Sequence, residues 1–284
     1  MRKVLTVSVI IPVHNEEHHI TACLDALAQQ TVAPNEVIVV DNNCSDKTLE
    51  IARQYPFVCI IHEKTQGLTP TRNAGFNAAK GEILARLDAD AVADKNWIKT
   101  IRSSFEDDAV WGITGLGAAD VLPRVKLGKT VLWSWLYFKW SEAFYGSRVL
   151  WGANMAIRRS AWKKVRSEVC MDDSLVHEDQ DLSLLLLAHG GKLKCNNEMR
   201  ITTGGQTYHY FPKLMEYTMR RWSTRKLHNQ NGNRAKIPRE FGLGWRARTY
   251  VLLLPFIIFY MVSFLFWPLD AVMRQLGRAA TWLD

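Results

Sequence analysis

Along the first ninety positions, apolar residues fall in short unbroken runs, each closed by a polar turn and separated from the next by a segment of helical spacing. Residues 7 to 13 (VSVIIPV) and 36 to 40 (EVIVV) are continuous and β-branched, the pattern of parallel strands covered on both faces. Between them, Ile20, Cys23, Leu24 and Leu27 recur at helical intervals within residues 16 to 29. A helix over about 45 to 54, a third apolar run at 58 to 61, a helical stretch at 72 to 79 and a fourth strand over 82 to 87 continue the alternation, which ends at Asp88. This order predicts an α/β fold with a Rossmann-like, mostly parallel central sheet flanked by helices, and ligands at the carboxyl ends of its strands. The opening Met1-Arg2-Lys3 and the run after it imitate a signal peptide. His14-Asn15-Glu16-Glu17 stands where a small-residue cleavage site belongs, so the run reads as a buried first strand.

Beyond Asp88, residues 94 to 106 have helical spacing and 111 to 122 read as strand and loop. Residues 129 to 145 are dense in Trp, Tyr and Phe, which fits a core helix, the wall of a substrate pocket, or a segment at a membrane interface. Tyr250 to Leu269 contains no Asp, Glu, Lys, Arg or His over 20 residues, long enough for a helix to cross a bilayer. Pro255 and Pro268 leave a re-entrant or in-plane path open. The expected organisation is a catalytic domain over 1 to 227, a basic linker over 228 to 245, and a membrane-associated segment over 246 to 284.

Charge supports that expectation. The chain of 284 residues is 48% hydrophobic and 23% charged, an ordinary globular balance, with a net charge of +8. Between Arg220 and Arg248, nine Lys and Arg residues face the single acid Glu240, immediately before the apolar run. The excess of cations on that side predicts membrane association with the main domain facing the cytoplasm. Nucleic acid is not an expected partner, because net charge is its only support. The five cysteines are scattered and never spaced as CxxC, which argues against a disulfide framework or zinc site and for reduced thiols.

Candidate chemistry gathers at the ends of the expected strands. Asp88-Ala89-Asp90 sets two carboxylates two residues apart, hard oxygen ligands suited to Mg2+ or Mn2+. After the strand EVIVV comes the elbow Asp41-Asn42-Asn43-Cys44-Ser45-Asp46, in which Asp41 can accept hydrogen bonds from a base or ribose while Ser45 or Asp46 caps the next helix. The loop from Gln66 and Gly67 to Gly75 leads into a helix start where Arg72 suits a diphosphate. In His177-Glu178-Asp179-Gln180-Asp181-Leu182, the acids either compensate a helix dipole or supply a general base, for which Asp179 is the candidate.

Taken in order, SVIIPVHNEE, VIVVDNN.SD, the Gly67 to Gly75 loop, LDADA, GANMAIRR at 152 to 159 and HEDQDLSLLL resemble the family 2 inverting glycosyltransferases with the GT-A fold, over roughly residues 5 to 222. The resemblance implies transfer of a sugar from a nucleoside-diphosphate donor, UDP favoured and GDP or dTDP possible, to a lipid-linked or glycan hydroxyl. It implies donor binding by Pro12, Val13, Glu16, Asp41, Asn43, Gly67, Arg72, Asp88 and Ala89, with Asp41 on the base, Asp88 on the ribose and Arg72 on the diphosphate. It implies metal ligation by Asp90 and His209, catalysis by Asp179, and sugar or acceptor contacts from Gly152, Ala153, Asn154, Glu178, Arg221 and Trp222. Two departures matter. Asn42 stands where many members carry a second acid, and Thr218 replaces the Gln of the Gln-x-x-Arg-Trp motif of processive members, which favours single transfer. A nucleotidyltransferase on a similar fold would begin with a Gly-rich basic loop where this chain has Pro12-Val13-His14-Asn15-Glu16. A binding protein without turnover remains a second alternative.

Overall fold

The computed structural model describes residues 4–118, 131–203, 211–251 and 254. In chain order they form β1 (Val7–Val13), α1 (Ile20–Ala28), β2 (Glu36–Asp41), α2 (Thr48–Ala52), β3 (Val58–His62), α3 (Leu68–Ala78), β4 (Ile83–Leu87), β5 (Ala91–Ala93), α4 (Trp97–Ser104) and β6 (Val110–Ala118). There follow α5 (Leu132–Tyr145), β7 (Asn154–Arg158), α6 (Arg159–Val165), α7 (Glu178–Ala188), β8 (Lys192–Thr203), α8 (Phe211–Gln230) and α9 (Asn233–Lys236).

The strands make one sheet of order β3-β2-β1-β4-β7-β6-β8-β5. β3, β2, β1 and β4 are parallel neighbours, as are β6 and β8. β7 opposes both β4 and β6, and β5 opposes β8. Alternate residues of each strand serve opposite layers, as the period of two requires. Val7, Val9 and Ile11 pack with Leu24, Trp97 and Ile101 on one face, whereas Ile10, Ile38, Val40 and Leu84 meet Phe76, Trp162 and Leu185 on the other. On that second face α3 approaches closely enough at Gly75 that a Cβ there would lie 2.4 Å from Ile10 Cγ2.

This topology builds a single rim. Parallel register sets Val13 beside Asp41 and Asp41 beside His62. The reversal of β7 brings its first residue, Asn154, opposite Leu87 at the carboxyl end of β4, and the pairing of β5 with β8 sets Thr203 opposite Ala91. Residues far apart in sequence therefore surround Asp88 and Asp90.

α7 is buried from Glu178 through Leu187, so its polar side chains need internal partners. Gln180 Oε1 accepts from the Tyr145 hydroxyl, Asp181 Oδ2 from the Cys170 amide at 3.0 Å, and Ser183 Oγ from the Leu150 amide at 2.8 Å. The residues after α8 lie back on α5, where Phe241 N donates to Gly146 O at 3.2 Å and Arg246 Nε to Ala143 O at 2.6 Å.

Two expectations are corrected. The fold class was expected to include a C-terminal membrane-associated helix, and the domain was expected to be held at a membrane facing the cytoplasm. Among the described residues, no helix is long and apolar enough to cross a membrane. The apolar run 250–269 lies outside the described residues except for Tyr250, Val251 and Leu254. A charge-free run meets a length criterion only and carries no information about what the run packs against. All five cysteines are free thiols.

Candidate active site

The rim divides into a loop region and an acidic crevice. In the loop region, Asp41 ends β2 with both oxygens engaged: Cys44 N donates to Oδ1 at 2.8 Å, and His62 Nδ1 lies 2.8 Å from Oδ2. Burial pushes this carboxyl up, but the Cys44 amide and His62 outweigh it and hold the group below its ordinary value. Pro12 and Val13 close β1 beside it, paired with Val40 and Asp41. Asn43 adopts the left-handed conformation at φ 63°, which Asn tolerates better than most residues, and its Nδ2 donates to Lys64 O at 3.0 Å.

Asn42 explains the departure from an acidic pair. Its Nδ2 donates to Glu63 O at 3.0 Å and Thr65 O at 2.8 Å, while its Oδ1 accepts from Gln66 Nε2 at 3.0 Å and Gly67 N at 2.9 Å. Only an amide serves two donors and two acceptors from one short side chain. Asn42→Asp should therefore destabilise the fold by about 1–3 kcal/mol, as a carboxylate would face two carbonyls. Chemical denaturation measures this, and an unchanged midpoint would show that the loop does not depend on the amide.

The helix start after Gly67 is already filled. Asp173, from the connection before α7, accepts from Leu68 N at 2.6 Å and from Thr69 N at 3.1 Å, and also from the Thr69 hydroxyl. α3 begins at Leu68, four residues earlier than expected, which places Arg72 in the second turn and points it inward. Pro70 does not block this start, because first-turn amides need no helical partner.

Arg72 is fully buried and donates to the Glu178 carboxylate, to Glu178 O at 2.7 Å and to Asn73 Oδ1 at 2.8 Å. The other Glu178 oxygen accepts from Arg86 Nη1, and Arg86 Nη2 donates to Asp88 Oδ1 at 2.9 Å. A chain of alternating charge thus runs Arg72, Glu178, Arg86, Asp88. Glycine at 152 leaves room for this chain, since a Cβ there would lie 2.6 Å from Arg86 Nη1 and 2.9 Å from Glu178 Oε1 and would push one of them aside. Arg86, 2% exposed in the middle of an apolar strand, was missed in the sequence. The signal was available, since a cation in a buried strand demands an anion.

Asp179 lies next to this chain. Gly152 N donates to its Oδ2 at 2.8 Å, and His177 Nδ1 stands 3.6 Å from Oδ1, an ion contact longer than a hydrogen bond. Asp179 Oδ1 and His177 Nε2 are both buried without a hydrogen-bond partner among the described residues. Burial pushes the Asp179 carboxyl up. His177, the Gly152 amide and Arg86 prevail over it and hold the carboxyl down at about 2.

Asp88 and Asp90 flank the crevice on the β4 side. Burial and the neighbouring Asp90 raise Asp88 despite Arg86, and Asp90 Oδ2 accepts from Thr203 Oγ1 at 2.9 Å. Glu16 is raised as well: burial outweighs the lowering by His19, with smaller additions from Asp90 and Asp88. The rim therefore holds more negative charge than its arginines settle. Two half-buried carboxylates suit a small divalent cation that draws its other ligands from water and phosphate oxygens. Among the described residues no cluster of three or more His, Cys, Asp or Glu is placed to hold a metal, and His209 lies outside them.

Of the remaining expected residues, Ala89 is buried behind the pair, and the Ala153 carbonyl accepts from Asp88 N at 3.4 Å. The Asn154 side chain is drawn into the core, donating to Leu116 O and Met199 O and accepting from Trp97 Nε1 at 2.8 Å. Arg221 is buried 4.7 Å from the Tyr137 ring and 4.3 Å from that of Trp140, whereas Trp222 is 58% exposed. These two sit on α8, which reaches the crevice through the stacking of Tyr217 on His177 and the bond from His177 N to Thr224 Oγ1 at 2.9 Å.

A charged rim at the carboxyl ends of an α/β sheet is the ligand-binding edge of that class. The family follows from the sequence within it: residues 8–166, more than half of the chain, match the Glycosyl transferase family 2 model, and the chain belongs to that family of sugar-transferring enzymes. Glycosyltransferase AglE of Haloferax volcanii is 42% identical over 100 residues, 33% of each chain. Probable glycosyltransferase YdaM of Bacillus subtilis is 23% identical over 287 residues, covering 94% of this chain and 64% of its own. The chain thus matches about a third of the length of the first of these relatives. Among solved structures, mannosyltransferase PcManGT of Pyrobaculum calidifontis with GDP-Man and Mn2+ superposes at a TM-score of 0.60 and 17% identity, covering 93% of this chain and 81% of that one. S. aureus TarS 1-349 with UDP-GlcNAc gives 0.54 at 18% identity, covering 70% and 58%. The α/β fold is consistent with the GT-A clan.

Proposed function

We propose that the protein moves a sugar from a nucleoside-diphosphate donor to a hydroxyl of a glycan or lipid-linked acceptor, by direct displacement with inversion, Asp179 taking the acceptor's proton. The observation that carries this reading is the Asp179 carboxylate: one oxygen is fixed by the Gly152 amide, and the other is buried, ionised and without a hydrogen-bond partner among the described residues. An acceptor hydroxyl at that oxygen satisfies it and is held for attack.

The elbow of Pro12, Val13, Asp41 and Asn43 is the proposed seat of the base and ribose, joined by Gly67 and Asp88. Glu178, read from sequence as an acceptor contact, is proposed to act through Arg86, whose guanidinium it holds against Asp88. Arg72 is proposed to hold Glu178 in turn, in place of the diphosphate contact first expected of it. Trp222 offers an exposed ring against which an acceptor sugar can pack, and Arg221 stiffens the aromatic wall behind it. Asp90 and Asp88 would hold Mg2+ or Mn2+ through the oxygens not used by Thr203 and Arg86. When bound, the cation neutralises the charge that develops on the departing diphosphate.

UDP-sugars are the first donors to screen and GDP-mannose the second, since the similar solved structures are named with both nucleotides. Purified full chain should release nucleoside diphosphate from one of them in a Mg2+- or Mn2+-dependent manner. Asp90→Ala should reduce that release by at least about 100-fold. Release that is indifferent to metal and to Asp90→Ala would remove the proposed metal site, and no release from any donor with acceptors present would favour a binding protein without turnover.

A further inference from the structure

His177 closes the amino end of α7 in an extended conformation, φ −82° and ψ 112°, and is fixed through both of its backbone groups. Its N–H donates to Thr224 Oγ1 at 2.9 Å, and its carbonyl accepts from Asp181 N at 2.8 Å. The ring is fixed as well. It stacks on Tyr217 with centroids 4.8 Å apart and planes 23° from parallel, and the side chain is 17% exposed. Tyr217 and Thr224 both belong to α8, and Thr224 is fully buried. A neighbouring helix therefore sets where the imidazole points, which a helix cap alone does not require.

The imidazole points at Asp179. Nδ1 lies 3.6 Å from Oδ1, the oxygen that the Gly152 amide leaves open. Nε2, on the other side of the ring, is buried without a hydrogen-bond partner among the described residues. A hydrogen on Nε2 would be a buried donor with no acceptor, so the ring hydrogen is assigned to Nδ1, facing the carboxylate. At 3.6 Å it attracts Oδ1 without capping it, and a carboxylate oxygen has lone pairs for both an imidazole N–H and an incoming hydroxyl. Asp179 is thus held between two donors, the Gly152 amide on one oxygen and the imidazole on the other.

We infer that His177 is a positioning residue for the proposed base: set by Tyr217 and Thr224, its Nδ1 hydrogen holds the Asp179 carboxylate in the orientation in which Oδ1 meets the acceptor hydroxyl. The inference rests on the reading of Asp179 as that base. It adds that α8 serves the reaction through a histidine that does not itself touch the reacting atoms.

The test measures nucleoside diphosphate release by the full chain from whichever UDP-sugar or GDP-mannose wild type turns over, with Mn2+ present. His177→Phe keeps a ring for Tyr217 and loses Nδ1. It should lower kcat about tenfold, the scale of one hydrogen bond to a charged group, with the donor KM within about twofold. His177→Asn sets an amide N–H near the Nδ1 position and should recover most of that loss. Tyr217→Leu leaves His177 in place but frees its ring, and should lower kcat by a smaller factor at unchanged KM. Thermal melts establish that each variant is folded at the assay temperature. In an Asp179→Asn background, His177→Phe should have no further effect beyond about twofold, because the group it positions has lost its role. A tenfold loss that persists in that background, a raised donor KM with kcat preserved, or wild-type kcat in both His177→Phe and Tyr217→Leu would overturn the inference and leave Asp179 as the base. Wild-type kcat in Asp179→Asn would instead overturn the base reading and the inference with it.

Discussion

Asp179→Asn should lower kcat for sugar transfer by about 10³-fold, within the range general-base catalysis contributes, and leave the donor KM within a few-fold of wild type. The amide is nearly the same shape and keeps an oxygen for the Gly152 amide, so the change removes the proton acceptor and little else. Measured side by side, kcat and KM separate this role from donor binding. A rise in donor KM with kcat preserved would move Asp179 out of the base role and into the donor site. The linkage sign also follows. The folded carboxyl is depressed to about 2, so the stability it contributes is present above its unfolded value and is lost as pH falls through about 2. Wild type and Asp179→Asn should therefore converge in stability between about pH 4 and pH 2, which thermal melts across that window measure. The same depression keeps the base ionised in the free enzyme throughout the neutral range, so an acid limb of kcat/KM near neutrality belongs to another group.

The parts of this site that were legible in the sequence are those fixed by local pattern. The runs around Val7 to Val13, Val37 to Val40 and Ile83 to Leu87 could be read as buried strands because every position in them is apolar or β-branched, apart from Ser8 and Arg86. Their carboxyl ends then located Asp41, Asp88 and Asp90. What escaped notice depends on partners distant in sequence. The start of α3 is set by Asp173, more than 100 residues away, so no local cap marked it. β8 is a half-exposed strand with polar residues at Lys192, Lys194, Asn196 and Asn197, and its register against β6 shifts twice, so neither a clean alternation nor an apolar run announced it. Asn154 looked like a ligand contact because of its place in GANMAIRR. Its side chain binds β6, β8 and α4 together, a structural role visible only once the three elements are in place.

Glu178→Gln should destabilise the protein by about 3–5 kcal/mol, because it leaves two buried guanidinium groups without their shared carboxylate. Arg72 is 0% exposed, Arg86 2% and Glu178 7%, so water cannot replace the lost charge. At a few degrees per kcal/mol for a domain of this size, the melting temperature should fall by roughly 10 °C. The variant also distinguishes two uses of Arg72. If Arg72 serves chiefly to hold Glu178, Arg72→Met should be strongly destabilising, and combining it with Glu178→Gln should cost clearly less than the sum of the two, since the second loss removes a charge the first left unpaired. If Arg72 instead turns outward to a diphosphate, Arg72→Met should raise the donor KM with stability nearly unchanged. Additive stability losses within about 0.5 kcal/mol would show that the pair does not act as a unit. The consequence reaches the crevice through Arg86. Released from Glu178, it has Asp88 as its remaining partner, and a tighter Arg86–Asp88 pair would weaken whatever cation Asp88 and Asp90 hold. Metal titrations of donor hydrolysis at a temperature where Glu178→Gln remains folded should therefore show a higher half-saturating Mg2+ or Mn2+ concentration, coupling the buried charge chain to the chemistry at its exposed end.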